Sequence, residues 1–368
     1  MIKRRKTRQV KVGGIRIGQL SPISIQSMIK VKTSDTKRAI SQIRGLERCG
    51  CEIIRVAVKD IKDANAIREI RKKIDIPLVC DIHFDYRLAL KAIENGADKI
   101  RLNPGNMRDK EEIRTVVNAA KKARIPIRIG VNSGSIRGSY SLVDAAMRYV
   151  KLFESMDFRD IIISLKASDV VSTAASYRAI ARLCDYPLHL GVTAAGPYES
   201  GIVKSSIGIG SLLMDGIGDT IRVSLTSDPR DEVIAGRRIL SALRIRNFGP
   251  DIISCPTCGR CQVDLGAIVA ELEHKLSAKR YTLSAKRPLF IAVMGCEVNG
   301  PGEAKEADIG IAFGKDAGML FKKGKVIKKV AAKEAVKELL NMFASYPVCQ
   351  LTSSNRQTGK PANRQTNL

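Results

Sequence analysis

Ile76 to Ala123 reads IPLVCDIHFDYRLALKAIENGADKIRLNPGNMRDKEEIRTVVNAAKKA. The run IPLVCDI is short, apolar and rich in β-branched residues, as a buried strand is. Asp85 to Asn95 (DYRLALKAIEN) carries its apolar residues at helical spacing, and Gly96 stands where a helix stops. KIRLNP at Lys99 is a second strand, and Lys110 to Ala123 (KEEIRTVVNAAKKA) a second helix. Strand, helix, strand, helix within fifty residues predicts parallel strands joined by helical crossovers.

The same rhythm extends in both directions. Similar runs begin near Ile23 (ISIQSM), Cys51 (CEIIRVAV), Ile127 (IRIGVN), Asp160 (DIIISLKA), Leu188 (LHLGVT) and Asp219 (DTIRVSL). Eight strands alternating with helices over about 230 residues match a TIM-like (β/α)8 barrel. A doubly wound open sheet is the alternative, but no glycine-rich dinucleotide turn follows the first strand. After Ile245 the texture becomes mixed α+β, with strands expected at Asp251–Ser254, Pro288–Met294 and Ala307–Phe313 and helices at Ala267–Leu276 and Ala331–Ala344. The expected division is a basic N-terminal arm at 1–19, the barrel at 20–245, a small α+β domain at 246–349, and a polar, disordered tail at 350–368. Six of the first eleven residues are Lys or Arg, which suggests that the arm is flexible.

The chain has 368 residues, with 63 Lys and Arg against 37 Asp and Glu, a net charge of +26. That surplus asks for an anionic partner. Aromatic residues make up only 4% and Trp is absent, so platforms for stacking single-stranded nucleic acid are scarce. No apolar run approaches the ~18 residues that would cross a bilayer, and no apolar signal core follows the basic start. The expected location is the cytoplasm, where nine cysteines stay reduced and serve ligation or packing rather than disulfides.

Two segments concentrate the thiols. Cys255-Pro-Thr-Cys258-Gly-Arg-Cys261 is answered by Met294-Gly-Cys296-Glu-Val-Asn-Gly-Pro-Gly-Glu303. Three cysteines at two-residue spacing plus a remote fourth suit an iron–sulfur cluster better than structural zinc, which usually takes paired ligands from each side. Zinc remains the alternative on spacing alone. In a barrel, function gathers at the C-terminal ends of strands. There the sequence places Arg55, Asp81, His83, Arg101, Asn103, Asn106, Arg128, Asn132, Lys166, Ser168, Thr193, Lys204, Arg222 and Glu232. Four strands carry an Arg among Ile and Val. Burying guanidinium without a counter-ion is costly, so the set predicts a bound phosphate group. Gly201 to Gly210 (GIVKSSIGIG) lacks the spacing of an ATP phosphate loop.

These stretches resemble the 4-hydroxy-3-methylbut-2-enyl diphosphate synthase family. The resemblance is carried by ISIQSM, DIHFDYRLAL, IRLNPGN, IRIGVNSGS, SLKASD, LHLGVT, KSSIGIG, GIGDTIRVSL, SCPTCGR and GCEVNGPGEA, from about residue 20 to about residue 340. It implies a barrel followed by a small iron–sulfur domain. It also implies a [4Fe–4S] cluster held by Cys255, Cys258, Cys296 and Glu303. The implied substrate is 2-C-methyl-D-erythritol 2,4-cyclodiphosphate, opened with two electrons from reduced flavodoxin or ferredoxin, in a head-to-tail homodimer. Arg55, Arg101, Arg128, Asn132 and Lys204 are then expected to bind the diphosphate. Glu303, Glu232 and His83 are the expected catalytic groups. Two positions depart from the family pattern: Cys261, an extra thiol that can compete with Glu303 for iron, and Ala194, where many members have an acidic residue. The rival class, a nucleic-acid-binding iron–sulfur protein, rests on the net charge and the basic arm.

Overall fold

The computed structural model describes residues 2–103, 106–107, 109–135, 141–167, 169–277, 281–283, 289–298, 302, 306–315, 317–346 and 349–351. The chain forms two compact units, Met1–Arg246 and Asn247–Leu368. Among the described residues no helix is long and apolar enough to cross a membrane.

The first unit opens with an antiparallel hairpin, β1 (Val10–Val12) and β2 (Ile15–Ile17), turning at Gly13-Gly14. The alternation that follows is β3 (Ser24–Met28), α1 (Thr36–Arg48), β4 (Ile53–Ala57), α2 (Ile61–Lys72), β5 (Leu78–Ile82), α3 (Tyr86–Glu94), β6 (Lys99–Leu102), α4 (Lys110–Ala123), β7 (Ile127–Asn132), α5 (Leu142–Ser155), β8 (Ile161–Lys166), α6 (Val170–Leu183), β9 (His189–Leu190), α7 (Tyr198–Met214), β10 (Thr220–Ile221) and α8 (Pro229–Ala242). The eight strands β3 to β10 pair in the order β8-β7-β6-β5-β4-β3-β10-β9, every pairing parallel. A bridge between Ile163 and Leu188 brings the two ends of the row together, completing the expected barrel. Most of its helices start from a side-chain cap at the mouth. Asp35, Asp60, Asp85, Asp109, Asp169 and Asp228 each accept a backbone N–H of the first turn, and Ser141 forms a capping box with Asp144. α7 has no side-chain cap and follows Pro197.

The expected flexible arm is corrected. Val10, Val12 and Ile17 pack on Ile53, Val79 and Ile162, so the hairpin forms the barrel's floor. Arg5 donates to the carbonyls of Cys184 (2.5 Å) and Tyr186 (2.6 Å). Arg4 pairs with Asp219 at 3.2 Å, and Asp219 also accepts from Thr7 Oγ1 at 3.1 Å. The alternation VKVGGIRI was the available signal; the surrounding lysines and arginines outweighed it. The guanidinium groups that made the segment look solvated are spent on open backbone carbonyls.

In the second unit, β11 (Asp251–Ser254), α9 (Leu265–Ser277), β12 (Tyr281–Leu283), β13 (Phe290–Met294), β14 (Ile309–Phe313), β15 (Ala317–Lys322), β16 (Lys325–Ala331), α10 (Ala335–Ala344) and β17 (Cys349–Leu351) follow in order. The sheet runs β11-β13-β14-β15-β16, parallel across its first three strands and antiparallel across the last three. α9 and α10 cover one face through Leu272, Leu276, Leu339 and Phe343, packed on Ile291, Val293, Ile311 and Phe313. Gln350 and Leu351, expected in a disordered tail, belong to β17, which pairs with β12. Residues 352–368 of that expected tail lie outside the described residues.

Because the hairpin closes the barrel from below, Ile17→Ala should lower unfolding free energy by about 2–4 kcal/mol, as deletion of a buried aliphatic side chain does. Urea unfolding measures it. A loss below about 0.5 kcal/mol, the range of surface substitutions, would show that the floor is loosely held.

Candidate active site

The strands present their inward residues at the mouth in register. Asp81 on β5 lies opposite Arg101 on β6, Arg101 opposite Arg128 on β7, and Asn132 opposite Lys166 on β8. These residues, with Arg55, His83, Ser164, Thr193, Ala194, Arg222 and Ser224, line a cavity of about 270 Å³. Two glycines make room for the cations. A Cβ at Gly130 would fall 2.5 Å from Arg101 Nε, and one at Gly191 would fall 2.6 Å from the Arg222 carbonyl and 3.1 Å from Lys166 Nζ.

Asp81 is the hub. It accepts from Arg101 Nη1 at 3.0 Å and faces Arg55 Nε at 3.8 Å. His83 Nε2 lies 3.5 Å from Asp81 Oδ2 and 3.1 Å from Arg101 Nη1, and its Nδ1 lies 2.9 Å from the Asn106 side-chain amide. Burial works to raise the Asp81 pKa. Arg55, the His83 hydrogen bond and Arg101 overcome it and hold the carboxyl well below the usual range.

The cations outnumber such partners. Burial, reinforced by neighbouring cations, lowers Arg55 and Lys166 well below their ordinary values, although Asp81 opposes this at Arg55. Arg128 is lowered to about 9, by burial first and then by Arg101. Its Nε and Nη1 are buried without a hydrogen-bond partner. Beneath the cavity, Lys99 and His189 are fully buried, with Lys99 Nζ and both imidazole nitrogens unpartnered. Both pKa values are driven well down, by burial first and then by Arg128. Among the described residues five cations line the cavity and Lys99 lies beneath them, while Asp81 is the one carboxylate in the lining. An anion bound among them would relieve that field and favour the charged forms.

The expected residues divide. Arg55, Arg101, Arg128, Asn132 and His83 meet in the cavity. Lys204 does not line it: it is exposed on α7. Glu232 is buried outside the lining and fully engaged. It accepts from Ser27 Oγ at 3.2 Å, Leu225 N at 3.2 Å and Arg222 Nη2 at 3.5 Å, with Lys30 Nζ at 3.4 Å. Its geometry is that of a carboxylate fixing Arg222 rather than of a proton donor. Lys166, Arg222 and Thr193 were legible as strand-end polar residues. Ser164, Ser224, Lys99 and His189 were missed; they sit inside apolar runs, and inward parity within the strand was the only signal. Ala194 lines the cavity, so position 194 adds no carboxylate beside Asp81. Ser168 and Glu303 lie outside the described residues.

In the second unit the cysteines leave adjacent parallel strands at the same end. Ser254 pairs with Val293, so Cys255 and Cys296 follow directly on neighbouring rows. Gly295 N donates to Cys255 Sγ at 3.3 Å, and a Cβ at Gly295 would lie 2.4 Å from Cys261 Sγ and 3.5 Å from Cys255 Sγ. Cys258 is exposed, and all four thiols are free of disulfides. Cys261 donates to the Val263 carbonyl at 3.2 Å and packs on the unit's core. Among the described residues no three His, Cys, Asp or Glu side chains are arranged as a metal site.

Residues 7–237 match the GcpE TIM-barrel domain, and residues 251–345 match the GcpE protein C-terminal domain. The chain belongs to the GcpE family. It is 54% identical over 351 residues to the 4-hydroxy-3-methylbut-2-en-1-yl diphosphate synthase (flavodoxin) of Caldanaerobacter subterraneus subsp. tengcongensis, covering 92% of this chain and 97% of that protein. The synthase of the same name from Fusobacterium nucleatum subsp. nucleatum is 51% identical, again covering 92% and 97%. Among solved structures, the Stenotrophomonas maltophilia dihydropteroate synthase aligns at a TM-score of 0.49 and 14% identity, over 64% of this chain and 98% of that one.

GcpE enzymes are iron–sulfur oxidoreductases of isoprenoid biosynthesis. The donor set here fits such a group: soft thiolates on two loops from one sheet end, with a backbone N–H aimed at sulfur, as cluster sites have. Cys255 and Cys261 both pack on the unit's core, and Cys261 Sγ also donates to the Val263 carbonyl.

Two outcomes follow from the cavity's charge. A carboxylate with a depressed folded pKa adds stability that is present above the ordinary carboxylate range and lost as pH falls through the folded value. Wild-type stability should therefore drop steeply below about pH 4, whereas Asp81→Asn should be flatter there and about 3 kcal/mol less stable at pH 7, having lost a buried counter-ion. Urea titrations across pH test this, and parallel curves would remove Asp81 from its role.

Arg128→Met should raise the melting temperature of the ligand-free protein, by removing a buried cation without a carboxylate of its own. It should also abolish the thermal shift that inorganic diphosphate gives the wild type. A variant that melts lower and still responds to diphosphate would contradict the assignment.

Proposed function

We infer that the chain catalyses the reductive ring opening of 2-C-methyl-D-erythritol 2,4-cyclodiphosphate to 4-hydroxy-3-methylbut-2-enyl diphosphate, with two electrons taken up and water released. The carrying observation is the cation-lined cavity at the barrel mouth, with Asp81 as its one lining carboxylate. That field suits a diphosphate and no neutral ligand. The names of the family relatives supply the product and the flavodoxin donor. The nucleic-acid alternative loses part of its basis, because Arg4, Arg5 and Arg8 of the basic start are engaged by Asp219, the Cys184 carbonyl and Asp185.

In this reading Arg55, Arg101, Arg128 and Lys166 hold the diphosphate, Arg222 is held in place by Glu232, and Asn132 orients the ligand from the end of β7. Desolvated cations act here in a site of low polarity, where each is worth more than in water. His83, on the rim between Asp81, Arg101 and Asn106, is the proton source for the departing hydroxyl. Cys255, Cys258 and Cys296 would hold a [4Fe–4S] cluster with Glu303 as the fourth ligand, and the cluster would relay the donor's two electrons one at a time. A head-to-tail homodimer, in which each barrel works with its partner's cysteine-bearing unit, belongs to the same proposal.

The test is anaerobic reconstitution with iron and sulfide, then assay with the cyclic diphosphate and reduced flavodoxin. The wild type should turn brown and form the allylic diphosphate. Cys258→Ser should stay colourless, while Cys261→Ser should keep its colour and most of its activity. A colourless Cys261→Ser would make Cys261 a ligand in place of Glu303, and a coloured protein without product would remove the proposed substrate.

A further inference from the structure

The charge of the second unit is concentrated in one place. From residue 247 to 314, seven Lys and Arg face eight Asp and Glu; from 315 to 337, eight Lys face two acidic residues. This stretch contains the hairpin β15–β16 and the start of α10. β16 is the outer strand of the sheet, and its first five residues, Lys325 to Lys329, are all exposed. A strand with one covered face alternates; this one leaves Val326 61% and Ile327 54% exposed among lysines. Met319, opposite Lys329 on β15, is 39% exposed. Apolar centre and basic rim together have the anatomy of an interface rather than of a solvated edge.

Register ties this edge to the cysteines. Met294, two residues before Cys296, pairs with Ala312, Ala312 with Met319, and Met319 with Lys329. Lys329 therefore lies on the same row of the sheet as the cysteine loop, three strand spacings away, or about 15 Å at ~4.8 Å per strand. Lys333 follows at the same end, just past Ala331, which pairs with Ala317.

We propose that the β15–β16 edge, with Lys325, Lys329 and Lys333 around Val326, Ile327 and Met319, is the docking surface for an acidic flavin-carrying electron donor of the flavodoxin type. This rests on the flavodoxin dependence inferred above and adds where the donor binds. Charge complementarity selects the partner and speeds the encounter, and the small apolar centre suits a complex that must part after each transfer. Lys328 contributes less, being tied to Glu338 at 2.7 Å.

The experiment compares the reconstituted full chain with a triple variant, Lys325→Glu, Lys329→Glu and Lys333→Glu, and with a control of equal charge change on exposed barrel helices, Lys72→Glu, Lys122→Glu and Lys151→Glu. Oxidised flavodoxin is titrated by calorimetry, and turnover is measured with reduced flavodoxin and separately with dithionite-reduced methyl viologen. The edge variant should bind flavodoxin at least about ten-fold more weakly, the control less than about two-fold, since rim charges steer association locally. Viologen-driven turnover should match the wild type in both. Equal loss in both variants would reduce the effect to net charge and overturn the proposal, as would unchanged binding in the edge variant. So would loss of bulk DNA binding in the edge variant with flavodoxin binding intact. A wild type that binds flavodoxin at this edge but turns over with neither donor would leave the docking surface standing and remove the reaction instead.

Discussion

The barrel is built around a charge imbalance. Asp81 sits among Arg55, Arg101 and His83, while Arg128, Lys166 and Lys99 are held in the interior with their charged forms disfavoured. A folded protein tolerates this only if the rest of the structure exceeds its cost. The continuous ring of parallel strands, the aspartate-capped helices and the plugged floor provide that surplus. An anion bound in the cavity would relieve the same imbalance, so ligand binding and relief of strain would be one event. Selectivity follows, because a ligand with less negative charge leaves part of the repulsion in place.

The cysteine-bearing unit solves a different problem by similar means. Its loops come from the ends of β11 and β13, adjacent and parallel, so two distant stretches of sequence meet without a long excursion. Glycine at 295 lets Cys261 Sγ approach, since a Cβ there would lie 2.4 Å from it and the thiol would have to shift. Rigid strands fix where the thiols begin, and short turns fix where they point.

The eight-fold alternation and the strand-end arginines were open to reading because barrel strands, covered on both faces, appear as unbroken apolar runs in which a charge stands out. Lys99 and His189 stood in the same runs but deeper, where composition alone gives no reason to separate a buried lysine from a surface one. Lys204 is a different case: a lysine among small residues near a helix start reads as a phosphate site, and its side chain lies in solvent on α7, outside the cavity lining. Glu232 stood out in the sequence, but its partners Ser27, Lys30 and Arg222 lie on two other segments that the sequence does not place beside it.

The floor hairpin carries an implication for how the molecule is made. Thr7 and Arg4 find Asp219 across 212 and 215 residues, and Val10, Val12 and Ile17 wait for Val79 and Ile162. During synthesis the plug is thus exposed before the cylinder it fits exists: its apolar partners come with β4, β5 and β8, and its polar anchor Asp219 only with β10. The barrel then closes around its own beginning, so the earliest segment acts as a late checkpoint: a chain stalled or cleaved before the eighth strand retains a hairpin without its polar anchor, which marks it as unfinished.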